Sequence, residues 1–278
     1  MHTHYYKPVK SFGHLAESRK GDNLAGVRDI KDYLRRFGYL DHPQDKILDD
    51  VFDNSLEQAL LTFQDFYRLN KTGFLDIETL SLMSRPRCGN PDIVRDINAI
   101  NQTDYHLHRF QPHYVFFPGE PKWRQKEIYV VIRENVPPEL VNAISQAFSD
   151  WEPFVPLSFK KNVNPGGGAR PDIRVGFFKG DHGDGSPFDG PNNALAHASS
   201  GPGDIMHFDA QENWRVGAVP GAYDIGTLAR HEIGHLLGLA HSPDKNTLMY
   251  AYTGTGETKS IGDDEKAGVR DLYYWHKH

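Results

Sequence analysis

The stretch HEIGHLLGLAH at residues 231–241 decides how the rest of this chain is interpreted. On a helix, His231 and His235 are one turn apart and share a face, so both imidazoles can reach one metal ion. Gly238 can end that helix and turn the chain, which would bring His241 back as a third ligand. Three histidines leave the fourth position of a tetrahedral zinc ion free for water, so the stretch predicts a catalytic zinc centre.

Glu232 gives this predicted centre its chemistry. Its carboxylate lies beside the first ligand and can accept a proton from water, as a general base does. An ordinary helix with exposed histidines is the simplest alternative, but such a helix requires neither a glycine nor a third histidine at these spacings. A purely structural zinc site would not require Glu232, so we expect hydrolysis rather than metal binding alone.

The composition is that of a soluble globular protein with one large domain or two modest ones. The chain has 278 residues, of which 38% are hydrophobic and 24% charged. A net charge of -6 gives no reason to expect nucleic acid as a partner. We expect no transmembrane segment, and the first ten residues lack the apolar stretch of a signal peptide. The single cysteine, Cys88, excludes an intramolecular disulfide and suggests a reactive or metal-binding thiol.

Helical periodicity dominates the first third of the chain. Apolar residues recur at helical spacing over 24–37 and again over 52–67, and a shorter helix is predicted around 77–83. These segments predict a small bundle of three helices. The polar, irregular residues 1–22 that precede the bundle are interpreted as a tail.

The remainder of the chain mixes strands and helices. Stretches rich in β-branched and aromatic residues predict strands at 127–133, 157–161 and 172–178. Helices are predicted at 138–151, at 225–239 and after Gly262, where two aspartates suit a helix N-terminus. Residues 179–203 are mostly Gly, Asp, Pro and Asn, which predicts a long loop that bound metal ions could order.

Three motifs together resemble one enzyme family. The zinc-binding helix, extended to HEIGHLLGLAHS, and a downstream LMY at 248–250 are similar to the matrix metalloproteinases, the matrixins of the metzincin clan. Met249 stands where that family has the methionine of its Met-turn. The stretch PRCGNPD at 86–92 resembles the cysteine-switch motif of the family's propeptide. Propeptide stretches such as YLRRFGYL are similar to the short plant-type members, which lack a hemopexin domain.

The resemblance implies an α+β protein and a proenzyme. A small three-helix propeptide bundle would be followed by a metzincin catalytic domain with a twisted, mostly parallel five-stranded sheet and three helices. The expected divisions are an N-terminal tail at 1–22, a helical propeptide domain at 23–85, a cysteine-switch segment and activation linker at 86–112, and a zinc metalloprotease catalytic domain at 113–278.

A second zinc ion, with a structural role, is also implied by the resemblance. The stretches HGDGSPFDGPNNALAHA and MHFDAQENW, which begin at residues 182 and 206, are similar to the family's structural zinc and calcium loop. The implied zinc ligands are His182, Asp184, His197 and His207. Three imidazoles and one carboxylate form a closed set of four ligands, which is typical of structural zinc.

Calcium ions are implied by the same loop, because hard oxygen donors suit that ion. The implied ligands are the carboxylates of Asp189, Asp209 and Glu212 and the carbonyl groups of Gly190, Asn192 and Ala194. Asp172 and Asp204 resemble a second calcium site. The chain departs from the family by one extra residue between Asp204 and His207, and by Ala251, where the family usually has proline.

Cys88 is the implied inhibitor of the catalytic centre. A thiolate is a good zinc ligand, and a thiolate in the fourth position would leave Glu232 without a water molecule to activate. Arg87 and Asp92 have opposite charges and are expected to pair across the loop. The alternative, that Cys88 is a small buried hydrophobic residue, fits poorly with a polar, proline-flanked loop. We expect an inactive chain that is activated by cleavage between about residues 101 and 114.

Peptide substrates are expected to lie extended along residues 194–196, with Leu195 and Ala196 in contact, and to add a strand by backbone pairing. In the family, Thr227 would face the main specificity pocket, where a small residue suggests depth for a long apolar side chain. Protein substrates and an activating protease are the expected partners of a monomer. The expected location is extracellular, with the apoplast or the cell surface included.

Three other interpretations stay open at this point. The chain could be a metal-stabilised binding protein that has lost catalysis, against which Glu232 counts. Residues 24–85 could be an independent module, for example one that binds cell-wall glycan. In the third interpretation the chain is a metzincin with a different chemistry, and the motif at 86–92 counts against this.

Overall fold

The computed structural model describes residues 12–41, 47–94, 114–162 and 170–275. The chain forms two compact units. Unit 1 contains the chain up to Pro86 together with Pro91–Val94, and unit 2 contains Arg87–Asn90 and the chain from Arg95 onward. Most of the predicted activation linker, including the expected cleavage region, lies outside the described residues.

Unit 1 is a bundle of three helices, as the helical periodicity predicts. The helices are α1 (Val27–Arg36), α2 (Asn54–Phe66) and α3 (Ile77–Met83). Asp53 and Asp76 cap the last two, since each carboxylate accepts a hydrogen bond from a backbone N–H of the first turn, at 2.8 and 2.7 Å. The apolar faces meet in a core rich in aromatic rings, in which Tyr33, Phe63 and Tyr67 are buried.

Gln64 organises the connection between α2 and α3. Its side chain is fully buried on α2. The amide nitrogen donates to the hydroxyl groups of Thr72 and Thr79, at 2.8 and 3.0 Å, and the amide oxygen accepts from the N–H of Gly73 at 2.9 Å. A polar residue at a core position therefore fixes the turn that the apolar pattern leaves undefined.

The predicted N-terminal tail is too long. From Phe12 onward the described chain belongs to unit 1, and Phe12 itself is buried ahead of a turn of 3-10 helix at Gly13–Leu15. The N–H of Glu17 donates to the carbonyl of Leu75 at 2.8 Å. The prediction over 1–22 was wrong for this part because a few apolar anchors and backbone hydrogen bonds hold it without any periodic pattern.

Unit 2 is built on a five-stranded sheet in the order β2-β1-β3-β5-β4. The strands are β1 (Glu127–Ile132), β2 (Ser158–Lys161), β3 (Ile173–Phe178), β4 (Ala196–Ala198) and β5 (Ile205–Asp209). All neighbours are parallel except β4, which pairs antiparallel with β5 at the edge. A two-stranded ladder of β6 (Trp214–Arg215) and β7 (Tyr223–Asp224) follows.

Three helices complete unit 2: α4 (Pro138–Trp151), α5 (Ile225–Leu236) and α6 (Asp263–Arg270). A 3-10 turn at Glu152–Phe154 and a π-helical turn at Asp271–Trp275 extend α4 and α6. The expected mostly parallel sheet with three helices is thus confirmed. The central strands present one buried apolar face, which carries Ile128 and Val130 of β1 and Ile173, Val175 and Phe177 of β3.

Helices α4 and α5 pack together beneath the sheet. The indole N–H of Trp151 donates to the carbonyl of Arg230 at 3.0 Å, which ties the end of α4 to the middle of α5. Phe148 and Ile233 are fully buried in the same core. Within the described residues, no helix is both long and apolar enough to cross a lipid bilayer.

Candidate metal centre

Helix α5 carries the first part of the predicted centre. Asp224 caps its N-terminus by accepting hydrogen bonds from the N–H groups of Gly226 and Thr227, at 3.3 and 2.8 Å. Three turns of helix then present His231 and His235 on one face. The apolar residues of α5 face the core, so its polar ligands lie on the side that the core leaves open.

Gly238 ends this segment and returns the chain to the centre. It has a left-handed backbone with φ of +106° and follows Leu237, the C-cap residue of α5. A Cβ atom there would lie 2.3 Å from the carbonyl oxygen of Pro121 and 2.7 Å from Cδ2 of Leu272. Both the backbone angle and the close approach therefore require glycine. The helix stops three residues before the predicted residue 239, and this early stop brings His241 into position.

The three histidines converge on one point. The Nε2 atoms of His231, His235 and His241 lie 3.1–3.3 Å from one another, and all three side chains are buried. The Nδ1 atoms of His231 and His235 lie 2.8 Å from the carbonyl oxygens of Leu248 and Leu239. A carbonyl can only accept a hydrogen bond, so Nδ1 carries the proton in both rings and each Nε2 presents a lone pair.

Such an arrangement suits a bound cation. Burial lowers the pKa of His231 to about 3 and lowers that of His235 as well, so both imidazoles are neutral at physiological pH. Neutral lone pairs that point at one another within a dry site repel unless a metal ion lies between them. The donor set of imidazoles fits zinc.

Cys88 lies at the same point. Its Sγ atom is 3.5 Å from Nε2 of His235, and the four ligand atoms of Cys88 and the histidines lie within 4.8 Å of one another. Burial raises the pKa of the thiol, so only a nearby cation would favour the thiolate form. Cys88 is fully buried, as the hydrophobic alternative predicts, but its neighbours are metal-ligand atoms.

Glu232 adjoins the centre in an unusual environment. Its side chain is fully buried, and within the described residues neither carboxylate oxygen has a hydrogen-bond partner. Burial raises its pKa to about 8, and the neighbouring Cys88 thiol offsets part of that rise. A buried carboxylate without a structural partner has no role in stability that would explain its cost.

Met249 packs against α5 at Gly234, between the two histidine ligands of that helix. A Cβ atom at position 234 would lie 2.4 Å from the Sδ atom of Met249, so Gly234 is what allows the methionine to pack against α5. The N–H of Met249 donates to the buried Glu265 carboxylate at 3.1 Å. The predicted Met-turn methionine thus lies under the ligand-bearing turn of the helix.

The segment Arg87–Asn90 pairs with the edge of the sheet. The N–H of Arg87 donates to Asn193 and its carbonyl accepts from Leu195, both at 2.9 Å, and the N–H of Gly89 donates to Ala196 at 2.7 Å. This is the edge along which the sequence predicts that substrate lies. The segment Arg87–Asn90 therefore uses the backbone groups that an extended peptide would need.

Arg87 and Asp92, predicted to pair, each have other partners. The Nε of Arg87 donates to the carbonyl of Cys88 at 3.0 Å, and its guanidinium lies 5.0 Å from the ring centre of Tyr252. In unit 1, Asp92 accepts hydrogen bonds from the hydroxyl groups of Tyr39 and Tyr67, at 2.7 and 2.8 Å. Their mutual pairing stays a prediction.

A second cluster gathers the residues expected to bind structural zinc. The ligand atoms of His182, Asp184, His197 and His207 lie within 4.8 Å of one another. Oδ2 of Asp184 is 2.8–2.9 Å from a ring nitrogen of each histidine. Burial lowers the pKa of His207 to about 4, so its ring is neutral at physiological pH. Among the described residues, this cluster and that of Cys88 with the three histidines are the two groups whose ligand atoms lie this close together.

The expected calcium ligands lie in the loop before β4, at the end of β5 and just after it. Oδ2 of Asp209 is buried and has no hydrogen-bond partner in the described part of the chain. Burial, together with the charge of Asp189, raises the pKa of Asp209 to about 6. Glu212 accepts a short hydrogen bond from the N–H of Asn192, and Gly190 is left-handed with φ of +87°. An orphaned buried oxygen beside a second carboxylate fits a cation, but calcium stays a prediction.

The second expected calcium pair has protein partners. Asp172 accepts hydrogen bonds at 2.7 Å from the side chain of Gln125 and the N–H of Tyr129. Asp204 forms an ion pair with Arg174. The role of these two aspartates in metal binding stays a prediction that the contacts do not favour.

Thr227 is buried, and its hydroxyl connects α5 to the chain that follows the Met-turn. It donates to Asp224 at 2.7 Å and accepts from the N–H of Lys259 at 2.9 Å. The predicted contact of Thr227 with substrate stays a prediction. The contacts add a role in holding residue 259 beside the helix.

Sequence reasoning missed Asn90 in unit 2 and two polar contacts in unit 1. Asn90 contacts both Cys88 and β4, and no property of an isolated asparagine signals this. Tyr39 and Tyr67 hold Asp92, and both fit the apolar helical pattern of unit 1, which conceals their polar role.

A buried three-histidine centre with an adjoining carboxylate, on a helix beneath a mostly parallel sheet, is the site of a metal-dependent hydrolase. Residues 122–274 match the sequence family described as Matrixin, and residues 23–83 match that described as "Putative peptidoglycan binding domain". The chain therefore belongs to the matrixin family and is a zinc metalloendopeptidase.

Curated relatives agree with the family assignment. Metalloendoproteinase 5-MMP of Arabidopsis thaliana is 36% identical over 95% of this chain and 75% of its own length. Metalloendoproteinase 1 of Glycine max is 36% identical over 91% of this chain and 83% of its own. Human Matrilysin is 36% identical over 87% of this chain and 84% of its own.

Proposed function

We propose that this chain is the latent precursor of an extracellular zinc endopeptidase, in which Cys88 blocks the catalytic centre. The observation that carries the proposal is the position of the Cys88 Sγ atom, 3.5 Å from Nε2 of His235 and within the four-donor cluster. A thiol in this place excludes the water molecule that hydrolysis consumes.

The proposed reaction is hydrolysis of an internal peptide bond. A zinc ion held by His231, His235 and His241 would polarise the scissile carbonyl and the attacking water. Glu232 accepts a proton from that water and later donates it to the leaving amine, so the carboxylate is regenerated in each cycle. Its buried position beside the metal ligands, with no structural partner among the described residues, supports this role.

The edge of β4 would hold the substrate. Backbone groups of Leu195 and Ala196 pair with Arg87 and Gly89 in the latent form. A substrate peptide would replace these bonds with its own backbone, which gives binding that depends little on side chains. Removal of the inhibitory segment would then free the edge strand and the fourth ligand position together.

A second zinc ion and a calcium ion would hold the loop between β3 and β5. The cluster of His182, Asp184, His197 and His207 supports zinc, because it is a closed set of four donors. The orphaned oxygen of Asp209 supports calcium. Both ions would act on stability, since the loop contains few apolar residues.

Peptide cleavage by intact and by processed protein tests the proposed function. The intact chain should be inactive, and limited proteolysis between about residues 101 and 114 should produce activity that a zinc chelator abolishes. Elemental analysis should find two zinc ions per chain. Full activity of the intact, zinc-loaded chain would contradict the proposed latency, and no activity after cleavage would contradict the proposed reaction.

The family match of residues 23–83 favours a second candidate function, in which unit 1 binds a peptidoglycan-type polymer. The full chain would be mixed with insoluble peptidoglycan and with cellulose, and both would be pelleted. Selective recovery with peptidoglycan supports this candidate, whereas recovery in the supernatant excludes it.

A further inference from the structure

We propose that Asn90 is a positioning residue that holds Cys88 in its inhibitory pose, because the Asn90 side chain pairs with the edge of β4 where the backbone of the segment turns away. The inference rests on the proposed latency and adds to it a residue that the metal-ligand chemistry does not require.

The side-chain amide of Asn90 forms two hydrogen bonds with a single residue. Its Nδ2 donates to the carbonyl of Ala198, and its Oδ1 accepts from the N–H of Ala198, both at 2.9 Å. Asn90 is 3% exposed, so neither bond competes with bulk water. This donor and acceptor pair reproduces the pattern that a backbone residue of a neighbouring strand would offer.

Pairing with β5 does not use the backbone N–H and carbonyl of Ala198. Along β4, the bonds to β5 are made at alternate residues: the carbonyl of Leu195 accepts from Asp209, and the N–H of Ser199 donates to Ile205. The N–H and carbonyl of Ala198 therefore face the other side, where the inhibitory segment lies. Without a partner, both groups would be buried and unpaired in the latent form.

The backbone of the segment cannot supply that partner. Its pairing with the edge ends at Gly89, whose N–H donates to Ala196 at 2.7 Å. Pro91 follows Asn90 and has no N–H to donate. The Asn90 side chain thus completes the pairing at the point where the main chain departs.

Asn90 also contacts Cys88 directly. Its backbone N–H lies 3.4 Å from the Cys88 Sγ atom, within hydrogen-bond distance for sulfur, and its Oδ1 atom lies 3.6 Å away. Because the carbonyl and the N–H of Ala198 hold the Asn90 side chain, the backbone N–H of Asn90 stays directed toward the sulfur. An N–H group that points at a thiolate stabilises its negative charge, as it does for an oxyanion.

Two variants of Asn90 separate the effect of the side-chain shape from the effect of its hydrogen bonds. Asn90→Asp keeps the shape but replaces the donor to the Ala198 carbonyl with a second acceptor, which would repel that carbonyl. Asn90→Ala removes both side-chain bonds and keeps the backbone N–H. Asn246 is exposed on the surface of unit 2, and its change to alanine is the matched control.

The measurement is the rate at which a thiol reagent modifies Cys88 in the intact, zinc-loaded chain, together with peptidase activity before any cleavage. Asn90→Ala and Asn90→Asp should raise the modification rate by about ten- to a hundredfold, the factor expected when two hydrogen bonds are lost. Asn246→Ala should match the wild type. With cobalt in place of zinc, the thiolate absorption band should weaken in both Asn90 variants.

The outcomes distinguish this inference from the proposed function. If the wild type is latent and both Asn90 variants show wild-type thiol rates and cobalt spectra, Asn90 has no positioning role and the proposed function stands. If the intact wild type is active and its thiol reacts freely, the proposed latency fails and this inference fails with it. Should one Asn90 variant not fold, the other provides the same comparison.

Discussion

Glu232 combines proximity to the metal ligands with complete burial and no structural partner among the described residues. We expect Glu232→Gln to keep the fold and the zinc content, because the amide has nearly the same shape. Turnover of the processed enzyme should fall by roughly two to four orders of magnitude, the range for a lost general base. Steady-state peptide cleavage measures this, and the exposed Glu134→Gln is the control. A wild-type rate in Glu232→Gln would rule out the mechanism.

For substitution of Cys88 we predict the opposite effect, a gain of activity. In Cys88→Ser, a neutral hydroxyl replaces a thiolate and is a much poorer zinc ligand. The intact variant should therefore cleave peptides and process itself, while the intact wild type should not. Both proteins would be assayed uncleaved with zinc and calcium present. Equal latency of the two would show that the segment blocks the centre without the sulfur.

At the scale of single residues, the sequence is most informative where chemistry and spacing coincide. His231, His235 and His241 could be predicted because helix geometry and one glycine determine where their side chains meet. Asn90 could not, because its role depends on which groups of β4 face outward, and this follows from pairing with β5. Calcium ligation by Glu212 is a prediction that neither the pattern nor the contacts decide.

At the scale of elements, helices and central strands could be predicted closely. Helix α3 and helix α4 have the predicted bounds, and the three predicted strands agree within one residue at each end. The stretch 179–203 could not be read fully, because it contains β4, three residues long. A strand of this length has no periodicity, and it exists because β5 provides a partner.

The loop that contains β4 provides a prediction of its own. His197→Ala opens the second cluster, whose binding energy for zinc contributes to folding. The thermal midpoint of unit 2 should fall, by about 2–4 °C for each kcal/mol lost in a domain of this size. Differential scanning calorimetry at fixed zinc and calcium measures it, with the exposed His14→Ala as the control. An unchanged midpoint and an unchanged zinc content would refute the structural-zinc assignment.

At the scale of the whole molecule, the two units should respond differently to a chelator. Both ligand clusters identified among the described residues belong to unit 2. Excess EDTA should therefore lower the unfolding temperature of unit 2 and leave that of unit 1 unchanged. Differential scanning calorimetry would separate the two transitions. A transition of unit 1 that moves by the same amount would contradict this assignment.

The open side of β4 has a further consequence for the processed enzyme. While Arg87–Asn90 is in place, the carbonyl of Ala196 and both backbone groups of Ala198 have hydrogen-bond partners on the outer side of β4. Once the segment leaves, the same groups offer a template to any extended chain, including a second copy of the enzyme. The backbone groups that are proposed to pair with a substrate peptide would pair equally well with another copy of the enzyme. We infer that the bound segment Arg87–Asn90 limits self-association through β4, and that concentrated processed enzyme without substrate would be the form most prone to it.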